Sequence, residues 1–138
     1  MMNQLIEFSI NHWEMVAVFL AILAAVVWVE MKGGASSLSP SAATTLMNNE
    51  DAVVVDLRPA TEYRLGHITG AINIPASSLK DKLDTLEKHK KTPIILVCKT
   101  GMTAGASAKE LQKAGFDVFK LQGGITEWQA SSLPLVKN

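Results

Sequence analysis

The sequence predicts an α/β protein, a parallel sheet flanked by helices and preceded by one N-terminal transmembrane helix. Three observations carry that prediction. Ala52–Leu57, interrupted only by Asp56, and the unbroken Ile94–Cys98 are short apolar runs with β-branched residues, the pattern of strands buried on both faces. Strand-like and helix-like segments alternate over about 100 residues, as they do in parallel α/β sheets. Met15–Val29 is apolar without exception.

Taken in order, the chain begins with that apolar run. Its fifteen residues would rise only about 22 Å as a helix, against roughly 30 Å of hydrocarbon in a bilayer. Extension back to Ile10 takes in Asn11, His12 and Glu14, which suit the membrane interface, as do Trp13 and Trp28 near the two ends. A secretory signal peptide would carry a basic leader, and no Lys or Arg precedes Lys32, although Gly33 and Ala35 have small-x-small spacing. A buried core helix would show an amphipathic period, and none interrupts the run. The reading is a membrane anchor over residues 1–32 with its helix at about 13–31, a joint at 33–39 and a folded domain at 40–138. Lys32 is the only base close to the apolar run. It places the N-terminus outside and the domain in the cytoplasm, as a single-pass protein of the inner or plasma membrane. A reducing compartment would also keep a lone thiol free.

Gly33–Ser41 (GGASSLSPS) reads as a flexible Gly/Ser spacer. Within it Ser39-Pro40 offers an N-cap followed by proline at the first helical position, opening a short helix that ends at Asn48-Asn49. Ala52–Leu57 is the first strand, stopped by Pro59. Ala60–Leu65 makes one or two helical turns closed by Gly66. Ala71–Ile74 is a short strand ended by Pro75, and Ser77 or Ser78 then caps a helix through Leu79, Leu83 and Leu86. Lys88, Lys90 and Lys91 crowd its C-terminal end, as the helix dipole prefers. Ile94–Cys98 is the central strand, and a helix from Ala104 to Ala114 follows, stopped by Gly115. Asp117–Leu121 is a further strand, Gly123-Gly124 a turn, and Ile125–Ala130 a last helix carrying Trp128.

Composition narrows the chemistry. Three acids and no base precede Lys32, while thirteen bases face ten acids from there on. That domain is too weakly basic, and too poor in basic stripes, for nucleic acid. Cys98 is the only cysteine, which excludes an internal disulfide, a C-x-x-C redox pair and a multi-cysteine zinc site. It ends a buried strand where α/β sheets place ligands, before a loop and a helix N-terminus that favour a thiolate. A buried structural cysteine would look the same from position alone.

The landmarks taken together decide between the two. V-V-D-L-R at Val54–Arg58, Glu62, G-H-I-x-G-A-x-N-I-P from Gly66 to Pro75, C-K-T-G-M-T at Cys98–Thr103 and G-G-I-x-x-W from Gly123 to Trp128 resemble a rhodanese domain, in that family's order, from about Pro40 to Leu135. The chain is similar to membrane-tethered single rhodanese domains. The resemblance implies a sulfurtransferase in which Cys98 takes the outer sulfur of a small sulfane donor such as thiosulfate, holds it as a persulfide, and passes it to a thiol or protein acceptor. Lys99, Thr100, Gly101, Met102 and Thr103 would form the loop that binds the donor, with consecutive N–H groups bent around the sulfur. Thr103 departs from the pattern, because family members efficient with thiosulfate usually have arginine there. Thiosulfate activity is therefore expected to be low. A C-x5-R phosphatase-like or arsenate-reducing site would need arginine at position 104, where this chain has alanine.

The remaining candidates read as structural. Asp56 and Arg58 are expected to anchor strand ends through ion pairs rather than to face the cleft. His67 sits in a turn, and a thiolate already formed needs no base. Trp128 is a core filler, and neither His12 nor His89 has partners at metal-ligand spacing. No metal or cofactor is expected. The alternative to an enzyme is a catalytically weak docking module that binds a protein at the membrane, and the anchor could itself bind a membrane protein.

Overall fold

The structure is a computed structural model that describes residues 1–32, without the side chains of 30–32, and residues 34–137. Gly33 and Asn138, which fall in the expected joint and domain, lie outside the described residues. The chain divides into two compact units, Met1–Gly34 and Ala35–Asn138.

The first unit holds α1 (Met2–Asn11) and α2 (Trp13–Lys32). Where the sequence reading carried one helix back to Ile10, the structure breaks it at His12, whose φ of −123° and ψ of 37° leave the helical region. The His12 N–H closes α1 on the Phe8 carbonyl at 3.0 Å, and its own carbonyl opens α2 by accepting from Met15 and Val16. The two helices meet at 90°. Counted to Val29, no single helix is long and apolar enough to cross a membrane; the bent pair together has that length and composition.

The second unit is a five-stranded sheet with every ladder parallel. Its elements are β1 (Ser36–Leu38), α3 (Pro40–Glu50), β2 (Val53–Asp56), α4 (Ala60–Leu65) and β3 (Ile72–Asn73), followed by α5 (Leu83–Leu86), β4 (Ile94–Val97), α6 (Ala104–Lys113), β5 (Val118–Leu121) and α7 (Gly124–Ala130). The spatial order β1-β5-β4-β2-β3 puts β4 at the centre. β4 is buried at all four positions, which is why its sequence is apolar without alternation. Ile94 and Leu96 pack on one side of the sheet with Leu79, Leu86, Ala108 and Leu111; Ile95 and Val97 pack on the other with Ala43, Ile125 and Trp128.

Two expectations are corrected. Ser36–Leu38, read as part of a flexible joint, is an edge strand in register with Phe119–Leu121. A three-residue strand with one apolar side chain offers no period to detect, so the folded unit starts earlier than expected. The expected helix after Pro75 is a chain of short turns, with 3₁₀ segments at Ala76–Ser78, Lys80–Lys82 and Glu87–His89 around α5, and neither Ser77 nor Ser78 caps it. Leu79 and Leu86 are fully buried all the same, so burial at these positions holds the segment without a continuous helix. The Ser39 cap is present: its Oγ accepts from the Ala42 N–H at 3.2 Å.

Candidate functional site

Cys98 follows β4 directly, at the carboxyl edge of the sheet where the strand order brings the cleft. The residue is only 4% exposed. Gly101 turns the loop back with φ of 93°, a conformation glycine adopts at no steric cost, and its N–H donates to Cys98 Sγ at 2.8 Å. A charge on sulfur therefore meets a backbone donor at hydrogen-bond distance.

The loop carbonyls are held from the other side. The Ile125 N–H donates to the Cys98 carbonyl at 2.9 Å, and the Thr126 N–H to the Lys99 carbonyl at 3.1 Å. Thr126 Oγ1 adds a bond to the Lys99 carbonyl at 3.0 Å. First-turn amides of a helix have no partner within it; here α7 directs two of them to the loop. The approach requires Gly123-Gly124, both at positive φ. A Cβ on Gly124 would overlap the Cys98 carbonyl oxygen and lie 2.8 Å from Lys99 backbone atoms.

A cavity of about 510 Å³ opens beside the thiol, lined by Leu57, Arg58, Pro59, Ala60, Glu62, Pro75, Ala76, Ser77, Cys98, Lys99 and Thr103. A second, of about 280 Å³, shares Arg58, Glu62 and Lys99 and continues along Leu65, Gly66, Ile125, Thr126, Gln129 and Leu135. Of the expected loop residues, Cys98, Lys99 and Thr103 line the first cavity, and Gly101 acts through its N–H. Thr100 and Met102 line neither cavity, and Met102 is 88% exposed. Thr103 stands at the N-cap of α6 without a side-chain cap bond.

Arg58 lies in the cavity wall, but its charge is spoken for. Its Nε and Nη2 bind the Asp56 carboxylate at 2.8–3.2 Å, and Nη2 also donates to the Gly66 carbonyl at 2.6 Å. Both partners are buried, at 8% and 1% exposed. Asn73 Nδ2 donates to the carbonyls of Asp56 and Arg58 at 3.1 and 2.9 Å, tying β3 into the same corner. The ion-pair role expected for Asp56 and Arg58 is what the structure has, although Arg58 also faces the cleft. Among the described residues Lys99 makes no ion pair, so it is the cavity's uncompensated cation.

His67 lines neither cavity. It is buried, its ring stacks on Tyr63 at 3.8 Å, and its Nδ1 lies 2.9 Å from the Tyr63 carbonyl. Tyr63 donates its hydroxyl proton to the Ala71 carbonyl at 2.6 Å. Burial, and then the negative charge of Asp56, push its phenol above the ordinary value of 10.0. Among the described residues no group of three His, Cys, Asp or Glu side chains could hold a metal ion.

Sequence reasoning left without a role Asn73, Thr126 and the approach of Gly124 to the loop. The Gly-Gly pair was visible as a turn, but only the fold brings it against a residue 26 positions earlier.

Comparison with known proteins agrees with this geometry. The Rhodanese-like domain model matches residues 39–131. The uncharacterized protein YibN of Escherichia coli is 40% identical over 99% of both chains. The thiosulfate sulfurtransferase GlpE of Pseudoalteromonas translucida is 36% identical over 62% of this chain and 81% of its own. Among solved structures, a rhodanese-related protein from Thermoplasma volcanium superposes with a TM-score of 0.69 at 26% identity, covering 75% of this chain and 99% of that one. A single buried thiol at the head of a five-stranded parallel sheet, and a family match that spans that sheet's motifs, place the chain in the rhodanese family.

Proposed function

We propose that the chain is a membrane-anchored sulfurtransferase that carries sulfane sulfur on Cys98. The observation that carries the reading is the Gly101 N–H aimed at Cys98 Sγ, at the edge of a cavity large enough for a small donor. The Cys98 thiolate attacks the outer sulfur of a donor such as thiosulfate; the S–S bond of the donor breaks, sulfite leaves, and a persulfide remains on the protein. An acceptor thiolate then attacks the outer sulfur and regenerates the Cys98 thiolate. Lys99 offers charge to the anionic donor, while Thr103 supplies no guanidinium, so thiosulfate turnover is low. The 36% identity to a thiosulfate sulfurtransferase supports the reaction class.

Anchoring rests on the apolar α2, whose side chains from Trp13 to Val29 are exposed almost throughout. Lys32 and the need to keep Cys98 reduced favour the domain in the cytoplasm. The full-length protein incubated with thiosulfate or another sulfane donor gains one sulfur by mass spectrometry, and the Cys98→Ser variant gains none. Absence of both the persulfide and cyanide-dependent turnover with several donors would leave the docking-module reading in its place. A reporter active only outside the cytoplasm, fused after Asn138, stays silent; a strong signal reverses the orientation.

A further inference from the structure

The first unit contains a division of labour that the sequence run alone does not reveal. On a helical wheel α1 separates cleanly. Asn3, Gln4, Glu7 and Asn11 fall on one arc, and Met2, Leu5, Ile6, Phe8 and Ile10 on the other. Ser9 falls within the apolar arc, but its Oγ donates to the Leu5 carbonyl at 2.8 Å, so its hydroxyl needs no partner from outside the helix. None of the α1 side chains is buried, and Leu5, Ile6, Phe8 and Ile10 are all more than half exposed. By contrast α2 is apolar on all sides from Met15 to Val29, about 22 Å of helix. The axes turn through 90° at His12, next to Trp13.

Two helices at a right angle, one two-faced and one apolar all round, match the two environments of a bilayer surface. We propose that α1 lies in the plane of the membrane interface, its Leu5-Ile6-Phe8 face toward the acyl chains, while α2 enters the hydrocarbon along the normal. The inference rests on the anchoring reading above. The occupant of the α1 face is lipid, because α1 is joined through the single residue His12 to an α2 whose apolar side chains are themselves exposed, and because Trp13, a residue suited to the membrane interface, stands at that corner. The polar face carries Glu7 and no Lys or Arg. Most interfacial helices use basic residues to hold anionic headgroups; this one has none, so its seating is independent of lipid charge.

The test exploits the single native cysteine. In a Cys98→Ser background, spin labels at Asn3→Cys, Leu5→Cys, Glu7→Cys, Phe8→Cys and Ala21→Cys are read in phosphatidylcholine vesicles for collision with oxygen, which concentrates in lipid, and with a water-soluble nickel chelate. The expected result is deep oxygen accessibility at position 21, shallow oxygen accessibility at 5 and 8, and nickel accessibility at 3 and 7. Addition of phosphatidylglycerol leaves the pattern unchanged. Uniform values from 3 to 8 with position 21 deep would overturn the in-plane helix while leaving the anchor intact. Nickel access at position 21 would overturn the anchor itself. Alternation that appears only with phosphatidylglycerol would overturn the lipid-charge independence.

Discussion

At Gly124 the backbone of α7 comes so close to the Cys98 carbonyl that an added methyl group would overlap it, and the φ of 58° is strained for any residue with a Cβ. Gly124→Ala is therefore expected to destabilise the folded unit by about 2–4 kcal/mol. It should also slow persulfide formation, because the loop must move to clear the methyl group. Urea denaturation and the persulfide mass assay measure the two effects. Lys99→Gln tests the uncompensated cation in the cavity wall. KM for thiosulfate rises about fivefold, the equivalent of roughly 1 kcal/mol for one exposed charge, and stability is unchanged. Cys98 and its loop stood out in the sequence because the landmarks around them resemble a rhodanese domain; a lone thiol after an apolar run would by itself read equally well as structural. The roles of Asn73 and Thr126 were not legible there, since each acts on a backbone carbonyl of a segment 17 or 27 residues away; Asn73 stands in the Gly66–Pro75 landmark, but its bonding partners do not.

The corner between β2 and α4 depends on one ion pair. Removing a single partner of a buried pair leaves an uncompensated charge, so Asp56→Ala should cost about 3–5 kcal/mol. The double variant with Arg58→Ala should cost less than the sum of the two single changes, which a double-mutant cycle in urea measures. The segment that follows, with Tyr63 against Ala71, gives a dependence on alkaline pH. The folded state favours the neutral phenol, so its pKa lies above the unfolded value of 10.0. The stability this contributes is complete below pH 10.0 and is lost as pH rises through the folded-state value. Tyr63→Phe removes that slope and costs about 1 kcal/mol at neutral pH through the lost hydrogen bond. At the level of elements the sequence was readable wherever burial or a cap left a pattern: the apolar runs that became β2 and β4, the capped α3 and the helix α6. β1 escaped because its pairing with β5 is made by the backbone. The turns between Pro75 and Thr92 escaped because their leucines fit a helix as well as successive 3₁₀ segments.

For the whole molecule, the boundary of the folded unit is the most direct check. A fragment that starts at Gly34 keeps β1 and the buried Ala35, and should melt as the full chain does. A fragment that starts at Ser39 loses the β1–β5 ladder and should melt several degrees lower, about the shift that 1 kcal/mol produces in a domain of this size; differential scanning calorimetry distinguishes them. The α/β class and the parallel sheet were accessible from alternation alone, whereas α1 was hidden because Asn3, Gln4 and Glu7 keep it out of the apolar run, which was carried back only to Ile10. The contact between α7 and the loop also has a consequence for biosynthesis. Cys98 leaves the ribosome well before Gly124, Ile125 and Thr126, so the nascent chain carries its nucleophile before it can shape the loop around it. A product truncated after Leu121 would retain the cysteine without the two amides that hold its loop, and would be a bare thiol at the end of a strand.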